Sequence, residues 1–276
     1  MAVTLIGTVN TNKSLGTTNT VSISSTNSFP YVSGDFGLII CGFSSTTSGT
    51  PGVVSPTVTS IASLYANDTA DVNVNASWFF FSNSDPITFT YRLQGSSLFA
   101  SPFLLMLFRG VDPTTPLDVT PTTATGINTQ NLNSPAITPV SGNTTIISTG
   151  IVADADIGAI SNYPTGYTPI LSTAWSGDTA DAMMTASFKK LSGGAGVSED
   201  PSNITTTFNT TTASWAAYTI ALRPATGRVK YATGNTTTSA NYNEFLRKPV
   251  KYWNGSSWVT KPAKYWNGSS WIITPW

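Results

Sequence analysis

The sequence predicts an all-β chain: an antiparallel β-sandwich followed by short C-terminal β-hairpin repeats. Three observations predict it. Apolar runs are short, alternate with Thr or Ser, and stop at Gly, Pro, Asn or Asp. No window keeps a 3.6-residue apolar period, so no helix longer than about two or three turns is expected. Residues 248–276 state one 13-residue unit twice.

Strands are expected at 2–9, 20–24, 36–43, 58–65, 72–81, 86–92, 103–109, 144–152, 169–175, 182–190, 203–209 and 214–223. Many short strands between turn signals indicate a sandwich or a barrel. The continuous run Phe103-Leu-Leu-Met-Leu-Phe108 reads as a central strand covered on both faces. Residues 112–142 hold five of the seventeen prolines and read as a long polar excursion, a length that usually signals function or a packed partner. Just before them, Arg109 is expected to pair with Asp112 or Asp118 and fasten the loop, with Gly110 permitting the turn.

The body carries an internal echo. Asp68-Thr-Ala-Asp71 recurs as Asp178-Thr-Ala-Asp181, followed at equal distance by Ala76-Ser77-Trp78 and Ala186-Ser187-Phe188. Leu104–Gly110 and Tyr218–Pro224 are a second matched pair, each closing on an arginine (Arg109, Arg223). These echoes read as two similar antiparallel halves of one sandwich.

Apolar residues make up 40% of the chain, enough for a core, while charged residues make up only 9% against the usual quarter. Thr, Ser and Asn replace them, giving a neutral polar surface of high β propensity. The single cysteine, Cys41, excludes an intrachain disulfide and lies in an apolar run, where a free thiol behaves as a small buried hydrophobe. The N-terminal stretch lacks the basic and apolar regions of a signal peptide, and no apolar run approaches the roughly 20 residues of a membrane span. Synthesis in the cytoplasm without membrane insertion is the expectation.

Net charge is zero but lopsided. Residues 1–222 hold five basic and twelve acidic residues, a net of −7, whereas 223–276 hold eight basic and one acidic, a net of +7. This shift places a boundary near Pro224: a sandwich over 1–224, a linker over 225–247, and the hairpin repeats over 248–276.

Chemistry is sparse. The absence of histidine excludes Ser-His-Asp triads, Cys-His pairs and His-ligated zinc. Only two glutamates occur, so a glycosidase would have to use pairs such as Asp154/Asp156 or Asp178/Asp181. Asp68, Asp71, Asp178 and Asp181 form weak calcium candidates, since that ion wants several oxygen ligands and no 12-residue EF-type loop exists. No phosphate-cradling glycine loop or zinc spacing is present, and neither a catalytic residue nor a cofactor is assigned.

The units are Lys248–Thr260 and Lys261–Ile273, each containing Tyr-Trp-Asn-Gly-Ser-Ser-Trp. Asn-Gly is a strong hairpin signal. A four-residue loop over 254–257 sets Trp253 opposite Trp258 and is preferred over a two-residue loop, because facing aromatics contribute about 0.2–1 kcal/mol. Hairpins this small cannot bury their own rings. Tyr252, Trp253, Trp258, Tyr265, Trp266, Trp271 and the terminal Trp276 are therefore the candidate docking residues. Sugar stacking on the same rings is the rival reading.

The stretches Gly34–Ile40, Phe108–Asp118, Tyr163–Tyr167 and Trp215–Pro224 resemble a jelly-roll domain of tailed-bacteriophage virion proteins, found in tail fibres, minor tail proteins and head decorations. The Trp-Asn-Gly-x-x-Trp repeats resemble tails of such proteins. The resemblance implies a non-enzymatic virion surface protein, forming a homo-oligomer, contacting other virion proteins and contributing to attachment through a host cell-surface glycan. It implies no nucleic-acid partner and supplies no catalytic residue. The alternative is a free-standing, lectin-like carbohydrate-binding module; a glycoside hydrolase is a third reading.

Overall fold

Among the described residues every element of the computed structural model is a β-strand, and all paired strands run antiparallel. The structure describes residues 2–14, 18–23, 31–45, 47–67, 71–82, 86–92, 100–127, 131–154, 157–175, 181–193, 195–208, 213–225, 228–233, 236–241, 250–253, 255–261, 264–266 and 271–273. The chain divides into two compact units, Ala2–Pro224 and Ala225–Trp276.

The first unit is one topology built twice. The first half contains β1 (Thr4–Ser14), β2 (Thr18–Ile23), β3 (Phe36–Ser45), β4 (Gly52–Ser55), β5 (Thr59–Ala66), β6 (Asp71–Phe80), β7 (Ile87–Arg92) and β8 (Ala100–Arg109). They form a five-stranded sheet, β1-β8-β3-β6-β5, and a three-stranded sheet, β2-β7-β4. The second half contains β9 (Thr122–Ile127), β10 (Asn131–Ser134), β11 (Thr145–Asp154), β12 (Ile157–Asn162), β13 (Thr168–Trp175), β14 (Asp181–Lys190), β15 (Ser202–Phe208) and β16 (Ser214–Leu222). Their sheets, β9-β16-β11-β14-β13 and β10-β15-β12, repeat the first order strand for strand. Each half is therefore a jelly-roll-like sandwich in its own right, a finer division than two halves of one sandwich.

Register gives the correspondence residue by residue. Phe36 lies opposite Phe80 and Phe108; Thr145 lies opposite Lys190 and Leu222. Phe36 thus matches Thr145, and Asp71, opposite Ser45, matches Asp181, opposite Asp154. The echoed Asp-Thr-Ala-Asp segments lead into matching strands because β6 and β14 both begin at their last Asp.

Period-2 alternation assigns each strand's two faces to different cores. Phe36, Leu38 and Ile40 on β3 join Leu104, Met106 and Phe108 on β8 in a central core that also takes Ile147 and Ile151 on β11, Met184 on β14, and Tyr218, Ile220 and Leu222 on β16. The two five-stranded sheets thus pack face to face. The opposite faces look outward onto the three-stranded sheets. In the first half Ile39, Cys41, Phe103, Leu105 and Leu107 meet Phe89 and Tyr91; in the second half Val152, Met183 and Ala217 meet Leu132 and Ile204. The order of layers is three strands, five, five, three. Strands buried on both faces carry unbroken apolar runs, and every residue of β3 and β16 is buried.

The halves are related by an approximate two-fold. β3 touches β11 and β14, β6 touches β11 and β16, and β8 touches β14; exchanging the halves returns the same contacts. Gly42 lies against Ile151, the residue at its own matching position, where a Cβ would also strike the Asn73 carbonyl. Tyr218 Oη reaches the carbonyls of Ala62 and Val74 at 3.0 and 3.1 Å, stitching the second half to the first. Val111 bridges Pro224 and Leu117 bridges Leu222, so β8 and β16 end together.

Twelve strands fall where the sequence placed them. The excursion at 112–142 is not structureless: β9 pairs with β16 and β10 with β15. β4 and β12 were also not expected, being short or Gly-Ala-Ser-rich with little apolar alternation. In the second unit, β17 (Arg228–Thr233) pairs with β18 (Thr236–Asn241) inside the stretch read as a linker. β19 (Val250–Trp253) pairs with β20 (Trp258–Lys261), and β21 (Lys264–Trp266) with β22 (Trp271–Ile273).

Candidate functional site

The joined ends of β8 and β16 hold two arginine clasps. Arg109 donates from Nε and Nη2 to Asp35 Oδ1 and Oδ2 at 2.9 and 2.8 Å, a bidentate pair on a carboxylate that is itself 2% exposed. Asp35 also accepts from the Val32 amide. Arg223, at the matching position of the second half, donates from Nε to Asp118 Oδ1 at 3.0 Å and from Nη2 to the Asp118 carbonyl. Asp118 Oδ2 accepts from the Val140 and Ser141 amides at 2.6 and 2.9 Å. Burial pushes the Asp118 carboxyl up, but the bonds from Ser141, Val140 and Arg223 outweigh it and hold the group below the usual range.

This corrects the expected pairing. Arg109 is held by Asp35, 74 residues earlier, and Asp118 belongs to Arg223. Asp112 accepts from the Thr114 and Thr115 amides of its own turn. The 110–121 connection is fastened all the same: Asp112 N donates to Arg223 O, Arg223 N to Pro116 O and Asp118 N to Ala221 O. These groups have their partners within the fold and read as structural.

A cavity of about 310 Å³ opens beside the end of β14. Lys189, Lys190, Leu191, Ser192, Gly193, Val197 and Glu199 line it. The connection from β14 to β15 is longer than its counterpart between β6 and β7, and it builds this wall. Glu199 is fixed by a backbone bridge to Ile137, and its Oε1 accepts from Lys189 Nζ at 2.7 Å and from Tyr167 Oη at 3.2 Å. Lys189 Nζ also sits 5.7 Å from the Tyr167 ring centre. Burial first, and the Glu199 charge second, push the Tyr167 phenol up, so it stays a neutral donor. Val197 in this lining is exposed, and Gly196 N beside it donates to Pro139 O, next to exposed Val140. Nothing in the sequence singled out this pocket, because its residues come from a glycine-rich loop with no motif.

The acidic candidates are only partly brought together. Asp154 and Asp181 stand opposite each other in the β11–β14 ladder. Asp71 is buried and accepts from Tyr65 Oη at 2.8 Å, and Asn67 Nδ2 donates to that hydroxyl at 2.7 Å. Asp68, Asp156 and Asp178 lie outside the described residues. Among the described residues no group of three or more His, Cys, Asp or Glu could hold a metal ion.

In the tail, backbone register sets Trp253 opposite Trp258 and Trp266 opposite Trp271, as the four-residue loop requires. Tyr252 stands opposite Val259 and Tyr265 opposite Ile272. Gly255 takes a φ of 103°, a value that favours glycine, and Gly255, Ser256 and Ser257 are exposed. Trp276 lies outside the described residues. No protein family, curated protein or solved structure matches the chain.

Proposed function

We propose that the chain is a non-enzymatic structural protein of a tailed-phage particle surface, a tail-fibre, minor-tail or head-decoration component that assembles through its C-terminal unit and contributes to host attachment. One observation carries the reading. The two Trp-bearing hairpins lie in a compact unit of their own, outside a body whose sheets are complete without them. Each hairpin has two strands of three or four residues, too few to bury indole rings internally. Tryptophan is among the commonest interface anchors. The low charge, the neutral polar surface and the opposed charges of body and tail also suit an assembling surface component.

Co-purification with intact particles at fixed copy number tests this. Removal of 248–276 is expected to leave the body folded and to abolish incorporation. A protein that never accompanies particles defeats the reading. The second reading is a lectin-like carbohydrate-binding module, favoured by the Asn-Gly-Ser-Ser segments that adjoin the tryptophans in the sequence. A truncated protein that still assembles but no longer binds a glycan array selects it.

A further inference from the structure

The two halves share a topology but not a filling. Between the layers of the first half, Ile39, Cys41 and Phe43 on β3 and Phe103, Leu105 and Leu107 on β8 are fully buried. Register matches these, in order, to Ser148, Gly150, Val152, Ala217, Thr219 and Ala221 in the second half. Each first-half residue is larger and more apolar than its counterpart. In the first half a chain of rings crosses from sheet to sheet: Phe79 to Phe89 at 5.1 Å, Phe89 to Phe103 at 6.2 Å, and Tyr91 to Phe103 at 5.1 Å.

The second half has two small apolar clusters, around Leu132 and around Ile137. Between them runs a buried polar row that includes Ser134, Ser148, Thr185, Ser187 and Thr219. Ser148 bonds Ser134 at 2.8 Å, and Thr219 bonds the Pro135 carbonyl at 2.6 Å. Thr185 Oγ1, Ser187 Oγ and Trp215 Nε1 are buried with no hydrogen-bond partner, against the single group Ser77 Oγ, the counterpart of Ser187, in the first half. The ladder between β12 and β15 breaks register twice, against once in its counterpart between β4 and β7.

We infer that the body is built with one rigid and one deformable half: the sheet β10-β15-β12 lifts from β11-β14-β16 while β2-β7-β4 stays closed on the first half. Opening the first half would expose rings that gain nothing from water. Opening the second exchanges hydrogen bonds of small net value for bonds to water. It also hydrates three groups that have no partner when closed, where opening the first half would hydrate only Ser77 Oγ. The inference stands independently of the virion reading.

Hydrogen exchange read by mass spectrometry on the full chain tests it. Protection factors of 202–208 and 131–134 are expected to fall roughly tenfold or more below those of 87–92. Equal protection, or weaker protection in the first half, overturns the inference. Thr185→Val keeps the side-chain shape and deletes an unpartnered hydroxyl. It is expected to raise protection of 202–208 several-fold and leave 87–92 unchanged; Ser187→Ala gives the same reading should the valine variant not fold. An unchanged pattern, or a change spread equally over both halves, also overturns it.

Discussion

Arg109 and Arg223 occupy one position in two copies of one topology, and each grips a carboxylate from a different loop: Asp35 for Arg109 and Asp118 for Arg223. The arginines correspond and their partners do not. The fold therefore keeps a cation at the end of its last strand, and each half supplies an acid from whichever loop reaches it.

Asp118 is the more consequential partner, because its side chain is fully buried and also satisfies two backbone amides. Asp118→Ala is expected to lower the stability of the body by about 2–3 kcal/mol in urea titrations. Asp112→Ala, which removes only an exposed turn contact, should change it by about 0.5 kcal/mol. The carboxyl is depressed in the fold, so its contribution is complete above the ordinary value of 3.8 and is lost as pH falls through the lower folded value. The stability difference between the wild type and Asp118→Asn should shrink in that acid window and stay constant above it.

Gly42 and Gly52 give a paired test of the interface between the halves. A Cβ on Gly42 would strike the Asn73 carbonyl and Ile151 Cδ1, and the carbonyl is locked in a ladder. Gly42→Ala is expected to cost about 1–3 kcal/mol. Gly52 has nothing within 4 Å of the same position, so Gly52→Ala should be close to neutral in the same thermal melts.

Cys41 should report unfolding. Burial pushes its thiol up to about 12 and leaves it inaccessible. An aromatic disulfide reagent at pH 8 is expected to leave the native protein unlabelled and to label it fully in denaturant. The thiol is raised in the fold, so its contribution is complete below the ordinary 9.0 and is lost as pH rises toward about 12.

The tail holds five of the eight tryptophans. The double change Trp253→Ala and Trp266→Ala should weaken assembly by about 2 kcal/mol or more while leaving the melting temperature of the body unchanged. Light scattering and thermal melts on the same samples read the two effects separately. A body that unfolds in the variant would make the hairpins part of its core.

Local pattern determined the strands, because a strand covered on both faces must be apolar throughout, as Phe103–Phe108 is, and turn residues must interrupt it. The repeated Asp-Thr-Ala-Asp segments and the paired closing arginines disclosed the doubling for a similar reason: strand ends, at Asp71 and Asp181 and at Arg109 and Arg223, have local requirements that both halves meet alike. The hairpin register in the tail was likewise legible, since Asn-Gly and the facing tryptophans are neighbours along the chain. Tertiary structure alone decided the rest. That Ile39 corresponds to Ser148 and Phe103 to Ala217 cannot be read from residue types, because the two halves fill different volumes between their layers and each position answers only to its own neighbours. The partner of Arg109 was hidden for the same reason. Asp112 and Asp118 are close in sequence, but the Asp35 carboxylate 74 residues away is the one that pairing of β3 with β8 brings to the end of the strand.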